Sequence, residues 1–334
     1  MELTARQATT LAEAPPKPAT QPLNWLPVTD AAGRRILVAP ERATQERKWR
    51  LSWLAVTTAV LAVTGMLLFS YPTAAAWVSQ YNQSKIVTNY ESQVALAKPA
   101  AAEQLTRAHE YNQALSVGAV LEANHNVPTG DGTSSDQTLN YAKMLDANGA
   151  GLMARLRINK IDLDLPIYHG TSEETLLTGL GHLEGTSLPV GGASTRTVVT
   201  GHRGLANATM FTNLDKVEVG DTFTFEVFGD VITYRVFDKK VVDPEETESL
   251  RAVEGKDLAT LVTCTPLGIN THRILVTGER ITPTPAKDVE AKGKAPDIPG
   301  FPWWIVLDLT GITVVGLYVW RAGYPPKLRR RRRP

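Results

Sequence analysis

Two apolar stretches bracket the chain, and the segment between them changes its hydrophobic period once. Trp53 to Tyr71, "WLAVTTAVLAVTGMLLFSY", carries no charge. As a helix it reaches roughly 28 Å, close to a hydrocarbon core of about 30 Å. Phe301 to Trp320, "FPWWIVLDLTGITVVGLYVW", is the second stretch. Trp303 and Trp304 stand at one of its ends and Tyr318 and Trp320 at the other, as interfacial belts require. Its one acid, Asp308, would cost about 2.5–3.5 kcal/mol at a bilayer centre and less near an interface.

Between these stretches the period is first helical, then strand-like. Residues 73–122 combine good helix formers with heptad-like apolar positions and break at Pro99, which predicts two helices. Residues 123–150 open with "ANHNVPTGDGTSSDQTLN", crowded with turn formers, and read as a long loop. From 151 to 283 come short alternating or β-branched runs: "MARLRI", "IDLDLPIY", "RTVVTG", "TFTFEVF", "VITYRVFDKKVV", "LATLVT" and "ILVTGERI". Gly and Pro punctuate them. Seven or eight such runs over about 130 residues predict a mainly β domain, a closed β-barrel. Residues 284–300 read as a polar linker to the second apolar stretch, and residues 1–50, rich in Ala, Pro and Thr, as a flexible tail.

Charge adds a topology. Arg42, Arg47, Lys48 and Arg50 precede the first apolar stretch, here bounded as 51–72, and Arg329 to Arg333 follow the second, 301–320. Basic residues at the outer ends predict that both tails, including the basic 321–334, are cytoplasmic. The barrel then lies outside a cell membrane crossed twice, with the lipid bilayer as a partner. A cleaved signal peptide ending at "TAAAW" is the alternative for the first stretch, but the long basic lead and long apolar run favour a retained anchor. Over the 334 residues, 35 Lys and Arg meet 34 Asp and Glu, for a net charge of +1, which argues against a charge-driven nucleic-acid binder. A single cysteine excludes a disulfide framework, a cysteine-rich zinc module and an iron–sulfur cluster.

That cysteine, Cys264, ends the apolar run "LATLVTC" where strand gives way to loop. Free Cys is often a small core residue. A lone thiol outside the membrane at a strand end is an oxidation liability, and reads instead as a nucleophile. It needs a proton-transfer partner. Of the six histidines, His202 in "VVTGHRG" stands in a parallel context, at the end of a β-branched run. His272 is a rival whose neighbour Arg273 disfavours an imidazolium; His202 is preferred, and both stay open. His109 reads as a solvated helical residue, His125 as a loop residue, and His169 and His182 as structural. Arg273 opens the strand after the Cys264 loop. An antiparallel pair would bring it to the same rim as an oxyanion donor, and a surface cation is the other reading.

"TLVTC" at 260–264, "TGHRG" at 200–204 and "NTHRILVTG" at 270–278 closely resemble the sortase signatures, and residues 165–192 resemble those of the class C, pilus-assembling branch. The resemblance covers about 141–282. It implies an eight-stranded sortase-type β-barrel with N-terminal helices and two flanking transmembrane helices. It implies Cys264, His202 and Arg273 as the catalytic set, with neither metal nor organic cofactor. Cys264 would attack the Thr–Gly carbonyl of an LPXTG-like sorting signal and form a thioester. A lysine of a pilin subunit would resolve it, with His202 moving the protons and Arg273 stabilising the oxyanion. The resemblance also implies a lid over 123–150. The usual Asp-Pro-aromatic anchor is replaced there by Val127-Pro128-Thr129. Two alternatives are a cell-wall-anchoring sortase that uses a peptidoglycan-precursor amine, and a non-catalytic membrane-tethered scaffold.

Overall fold

The computed structural model describes residues 26–29, 33, 35–38, 48–115 and 139–324. It divides into two units, 1–52 with 320–334, and 53–319. The first holds a short antiparallel pair, β1 (Leu26–Thr29) and β2 (Arg35–Val38). The stretch expected to be a tail without regular structure therefore contains a hairpin. Its strands are apolar and β-branched, and Gly33 in the connection sits at φ +80°.

The second unit opens with α1 (Trp53–Leu96), a single 44-residue helix. The expected apolar segment is only its first half, because the helix runs on through Pro72. Residues 97–100, around Pro99, separate it from α2 (Ala101–Ala114). α1 and α5 (Trp303–Ala322) are both long and apolar enough to cross a membrane. The less exposed positions of α1 there are Ala55, Val56, Ala59, Val63, Met66 and Ser70, and those of α5 are Trp304, Asp308, Gly311, Val315 and Val319. The spacing is helical, so each helix shows one stripe. The stripes meet where Met66 lies against Gly311 so closely that a β-carbon there would collide with its sulfur.

The core is a closed barrel of eight strands: β3 (Leu152–Ile158), β4 (Leu163–His169), β5 (Leu180–His182), β6 (Thr195–Thr200), β7 (Thr222–Val227), β8 (Asp230–Val242), β9 (Asp257–Thr265) and β10 (His272–Arg280). Around the barrel they run β10-β8-β7-β3-β4-β5-β6-β9. Two pairings are parallel, β4 with β5 and β6 with β9. The β7–β8 hairpin turns at Phe228 and Gly229, both at positive φ, as a two-residue primed turn demands. A short helix, α3 (Glu173–Thr178), links β4 to β5, and α4 (Ala286–Glu290) follows β10.

Residues alternate between the two faces of each strand. Ala259 and Leu261 of β9, Val199 of β6 and Ile274 and Val276 of β10 belong to the barrel interior. Val262, Val198 and Leu275 belong to a separate apolar cluster, with Leu183 and Leu250, on the opposite, outer face. Helix α1 is fastened to the barrel by the buried Tyr90. Its hydroxyl donates to Met153 O and accepts from Phe228 N, each at 2.9 Å.

A buried ion cluster closes the barrel against the segment that leaves it. Arg155 grips Asp164 through two bonds of 2.7 and 2.6 Å, reaches Glu226 at 3.3 Å and donates to Lys294 O at 2.8 Å. Burial raises the Glu226 carboxyl, to about 7, against the pull of Arg155.

Candidate active site

Hydrogen bonding aligns three residues in one row across three neighbouring strands. In the antiparallel β9–β10 pair, Cys264 stands opposite Arg273. In the parallel β6–β9 pair, the last registered match is Thr200 with Val262. The chain then keeps step beyond the strand end. Gly201 N donates to Val262 O at 3.1 Å, and Thr263 Oγ1 donates to Gly201 O at 2.7 Å. One residue on, His202 reaches the level of Cys264. The row His202–Cys264–Arg273 continues the outer face that carries Val198, Val262 and Leu275.

Local sequence explains the His202 turn. Gly201 packs so closely on Leu180 and Phe211 that a β-carbon would come within 2.6 and 2.8 Å of them. Gly204 sits at φ +76° with Leu267 pressed against it. His202 O accepts from Phe211 N at 2.9 Å. Arg203 binds Thr265 Oγ1 at 2.9 Å, Thr212 O at 3.3 Å and Asp215 at 3.0 Å. The residue after the histidine thus holds the residue after the cysteine.

Cys264 is half-buried. Burial pushes its thiol above the ordinary range, and the Arg273 guanidinium pulls the other way. Arg273 is itself buried, with Nη1 donating to the carbonyls of Asn270 and His272 at 3.0 Å each. His202 Nε2 lies 3.3 Å from Glu173 Oε1.

The remaining histidines sit elsewhere. His272 is one residue off the row, so its side chain leaves by the other face. It is exposed and pairs with Asp243 at 3.4 Å. His182 is fully buried, with Nε2 facing Ser187 O at 2.9 Å and Nδ1 facing Tyr141 Oη at 2.9 Å. His169 faces the carbonyls of Gly151 and Met144. His109 is exposed on α2. His125 lies outside the described residues, as does most of the expected lid. The described end of that stretch packs down, with Met144 and Leu145 in the core.

Sequence reading missed Arg203 and Glu173. Arg203 adjoins His202 but carries no signal of its hold on Thr265, and Glu173 stands 29 residues before His202 in an ordinary helix start.

Residues 156–281 match the Sortase domain family model. Over 157 residues the chain is 29% identical to Sortase D of Bacillus subtilis (strain 168), covering 46% of this chain and 76% of that protein. The solved sortase C of Streptococcus pneumoniae is 37% identical, over 60% of this chain and 98% of that one, with a TM-score of 0.52. Sortase C1 of Streptococcus agalactiae is 38% identical, over 60% of this chain and 100% of that one, with a TM-score of 0.52. With the barrel, the matched domain and near-complete coverage of these relatives in agreement, the chain belongs to the sortase family, in its class C branch, and is a cysteine transpeptidase.

Proposed function

We propose that this sortase cleaves an LPXTG-like sorting signal between Thr and Gly and transfers the acyl group to a lysine side chain of a pilin subunit, building a pilus outside the membrane. The row His202–Cys264–Arg273 is the observation that carries the reading. Acyl transfer needs a nucleophile, a proton carrier and a donor for the oxyanion, and the row supplies one of each side by side. Burial keeps Cys264 as a thiol at rest, so its proton must leave as it attacks. In this reading His202 protonates the departing glycine amine and later accepts a proton from the incoming amine. Arg273 meets the charge that develops on the carbonyl oxygen.

The acceptor class is supported by the segment at 165–192 and by the relatives. Sortase C of S. pneumoniae is described with pilin substrate specificity. The anchoring rests on α1 and α5, each long and apolar enough to span a bilayer. The domain plan follows: cytoplasmic ends at 1–50 and 321–334, membrane segments at 51–72 and 301–320, and extracytoplasmic helices, lid, barrel and linker between them.

The test gives the purified full chain in detergent a sorting-signal peptide and either a pilin bearing the acceptor lysine or a peptidoglycan-precursor amine. Intact mass should show a thioester on Cys264, and gels should show pilin ladders. Transfer to the precursor amine alone would assign the enzyme to cell-wall anchoring instead.

A further inference from the structure

A carboxylate that the transfer outlined above does not use stands at the rim beside His202. Glu173 opens α3, where Ser172 Oγ accepts from Thr175 N at 3.2 Å and fixes the start of the helix. Glu173 Oε1 approaches His202 Nε2 to 3.3 Å. Yet among the described residues Nε2 has no hydrogen-bond partner, and it is itself covered. The pair is close enough for ions and out of line for a hydrogen bond. The Glu173 side chain is 66% exposed, against 17% for His202. A carboxylate that orients a catalytic imidazole is aligned on its N–H and buried against it. Glu173 is neither: its side chain is largely exposed and lies out of line with the imidazole N–H.

Arg203, Asp243 and Arg273, other charges near the row, each have a partner away from it. Arg203 is paired with Asp215, and Asp243 faces His272 on the opposite flank. Arg273 is buried and bonded to backbone carbonyls.

A lysine arrives as an ammonium, because its pKa is about 10.4. It must dock charged and attack neutral, so it needs an anion within reach of a base. It must also enter on the His202 flank, where the leaving amine departed, because one imidazole serves both amines. We infer that Glu173 is the docking carboxylate for the acceptor's lysine ε-ammonium. The inference rests on the transfer reading above and adds the acceptor's place in the site. In the step, the amine nitrogen bonds to the thioester carbon and the carbon–sulfur bond breaks. Of the ammonium's three protons, one stays on the new amide. One ends on Cys264 as its thiol, and one passes through His202 to water.

The experiment compares two nucleophiles on the acyl-enzyme of the full-length protein in detergent. Nα-acetyl-lysine amide is cationic at neutral pH, and hydroxylamine is not. Glu173→Gln should raise KM for the lysine compound roughly two- to fivefold, as for one exposed charge pair. The ratio of lysine to hydroxylamine transfer should fall by the same factor. Glu173→Asp should recover part of it, and added salt should weaken lysine transfer in the parent but not in Glu173→Gln. Equal loss toward both nucleophiles would overturn the inference and make Glu173 a support for His202 or the fold. An unchanged ratio would overturn it too. Absence of any thioester in the parent protein is a separate outcome that strikes the transfer reading itself.

Discussion

Arg203 donates from Nη1 to Thr265 Oγ1 at 2.9 Å, tying the residue after His202 to the residue after Cys264. The two segments are 62 residues apart in sequence, and backbone pairing, the Thr263 bond to Gly201 and the packing of Leu267 on Gly204 join them at the same level. Arg203→Met should leave the barrel folded and loosen the histidine against the cysteine. A misplacement of about 1 Å can cost 10²-fold, so kcat for thioester formation should fall roughly 10- to 100-fold. Stopped-flow mass analysis checks this beside a melting curve; a normal kcat would show that the tie is ornamental.

Substitution in the row should separate the two histidines. Cys264→Ala removes the only thiol and should abolish thioester and ladders. His202→Ala should lose about 10²–10⁴-fold in turnover. Arg273→Lys keeps charge but not the planar fork and should be strongly impaired. Arg273→Ala should lose about 2.7–4 kcal/mol of transition-state stabilisation, the usual worth of an oxyanion donor. His272→Ala should stay active, since its side chain leaves by the other face. Loss in His272→Ala with full turnover in His202→Ala would reverse the assignment.

Thiol titration reads the electrostatics of the site. Burial raises the Cys264 pKa and Arg273 lowers it, with burial the stronger. Alkylation by iodoacetamide should therefore rise through a midpoint above the ordinary thiol value of about 8.5. Removing the cation in Arg273→Ala should move the midpoint still higher. A midpoint below the ordinary value, or one that ignores Arg273, contradicts the geometry.

His182 should cost the barrel stability in acid. Its burial lowers the imidazole pKa from 6.5 to about 4. The unfolded chain therefore takes up the proton first. Between pH 6.5 and 4 the unfolded state holds more protons, so stability falls as pH falls. The shift corresponds to about 3 kcal/mol at 1.36 kcal/mol per unit. Glu226, raised by burial, works in the opposite sense. The Glu226 shift, from 4.5 to about 7, matches that of His182 in size, so the parent should be nearly flat from pH 4 to 7, and denaturant titrations of the full chain should show His182→Gln gaining stability as pH falls. An identical slope would remove His182 from the account.

Breaking the ion cluster tests a different end of the barrel. Arg155→Met leaves Asp164 and Glu226 to the more weakly placed Arg157, at 3.3 and 3.9 Å, and loss of one partner of a buried pair costs about 3–5 kcal/mol. Thermal melting should drop by many degrees. A change under about 1 kcal/mol would mean that water reaches the cluster.

Long runs were legible in the sequence because their side chains alternate or stay apolar over many residues. β8, β9 and β10 are such runs, and Cys264 and Arg273 fell at their ends as the antiparallel pairing required. β5 was not legible, because three residues cannot show a period. Nor was the meeting of His202 with Cys264, which depends on a parallel pairing between distant strands that no turn announces. The sequence motif alone carried that link. Pro72 does not end α1: the loss of one backbone bond is tolerated where the rest of the helix is secure.

The unbroken course of α1 has a mechanical consequence. Residues 72–96 rise about 37 Å beyond the apolar part at 1.5 Å per residue. Tyr90, deep in that stretch, is locked to the barrel. Under the proposed anchoring, bilayer and catalytic body share one helix that runs without interruption from one to the other. A sorting signal then has to reach a site held at a fixed height, and recognition becomes partly a measurement of distance from the lipid surface.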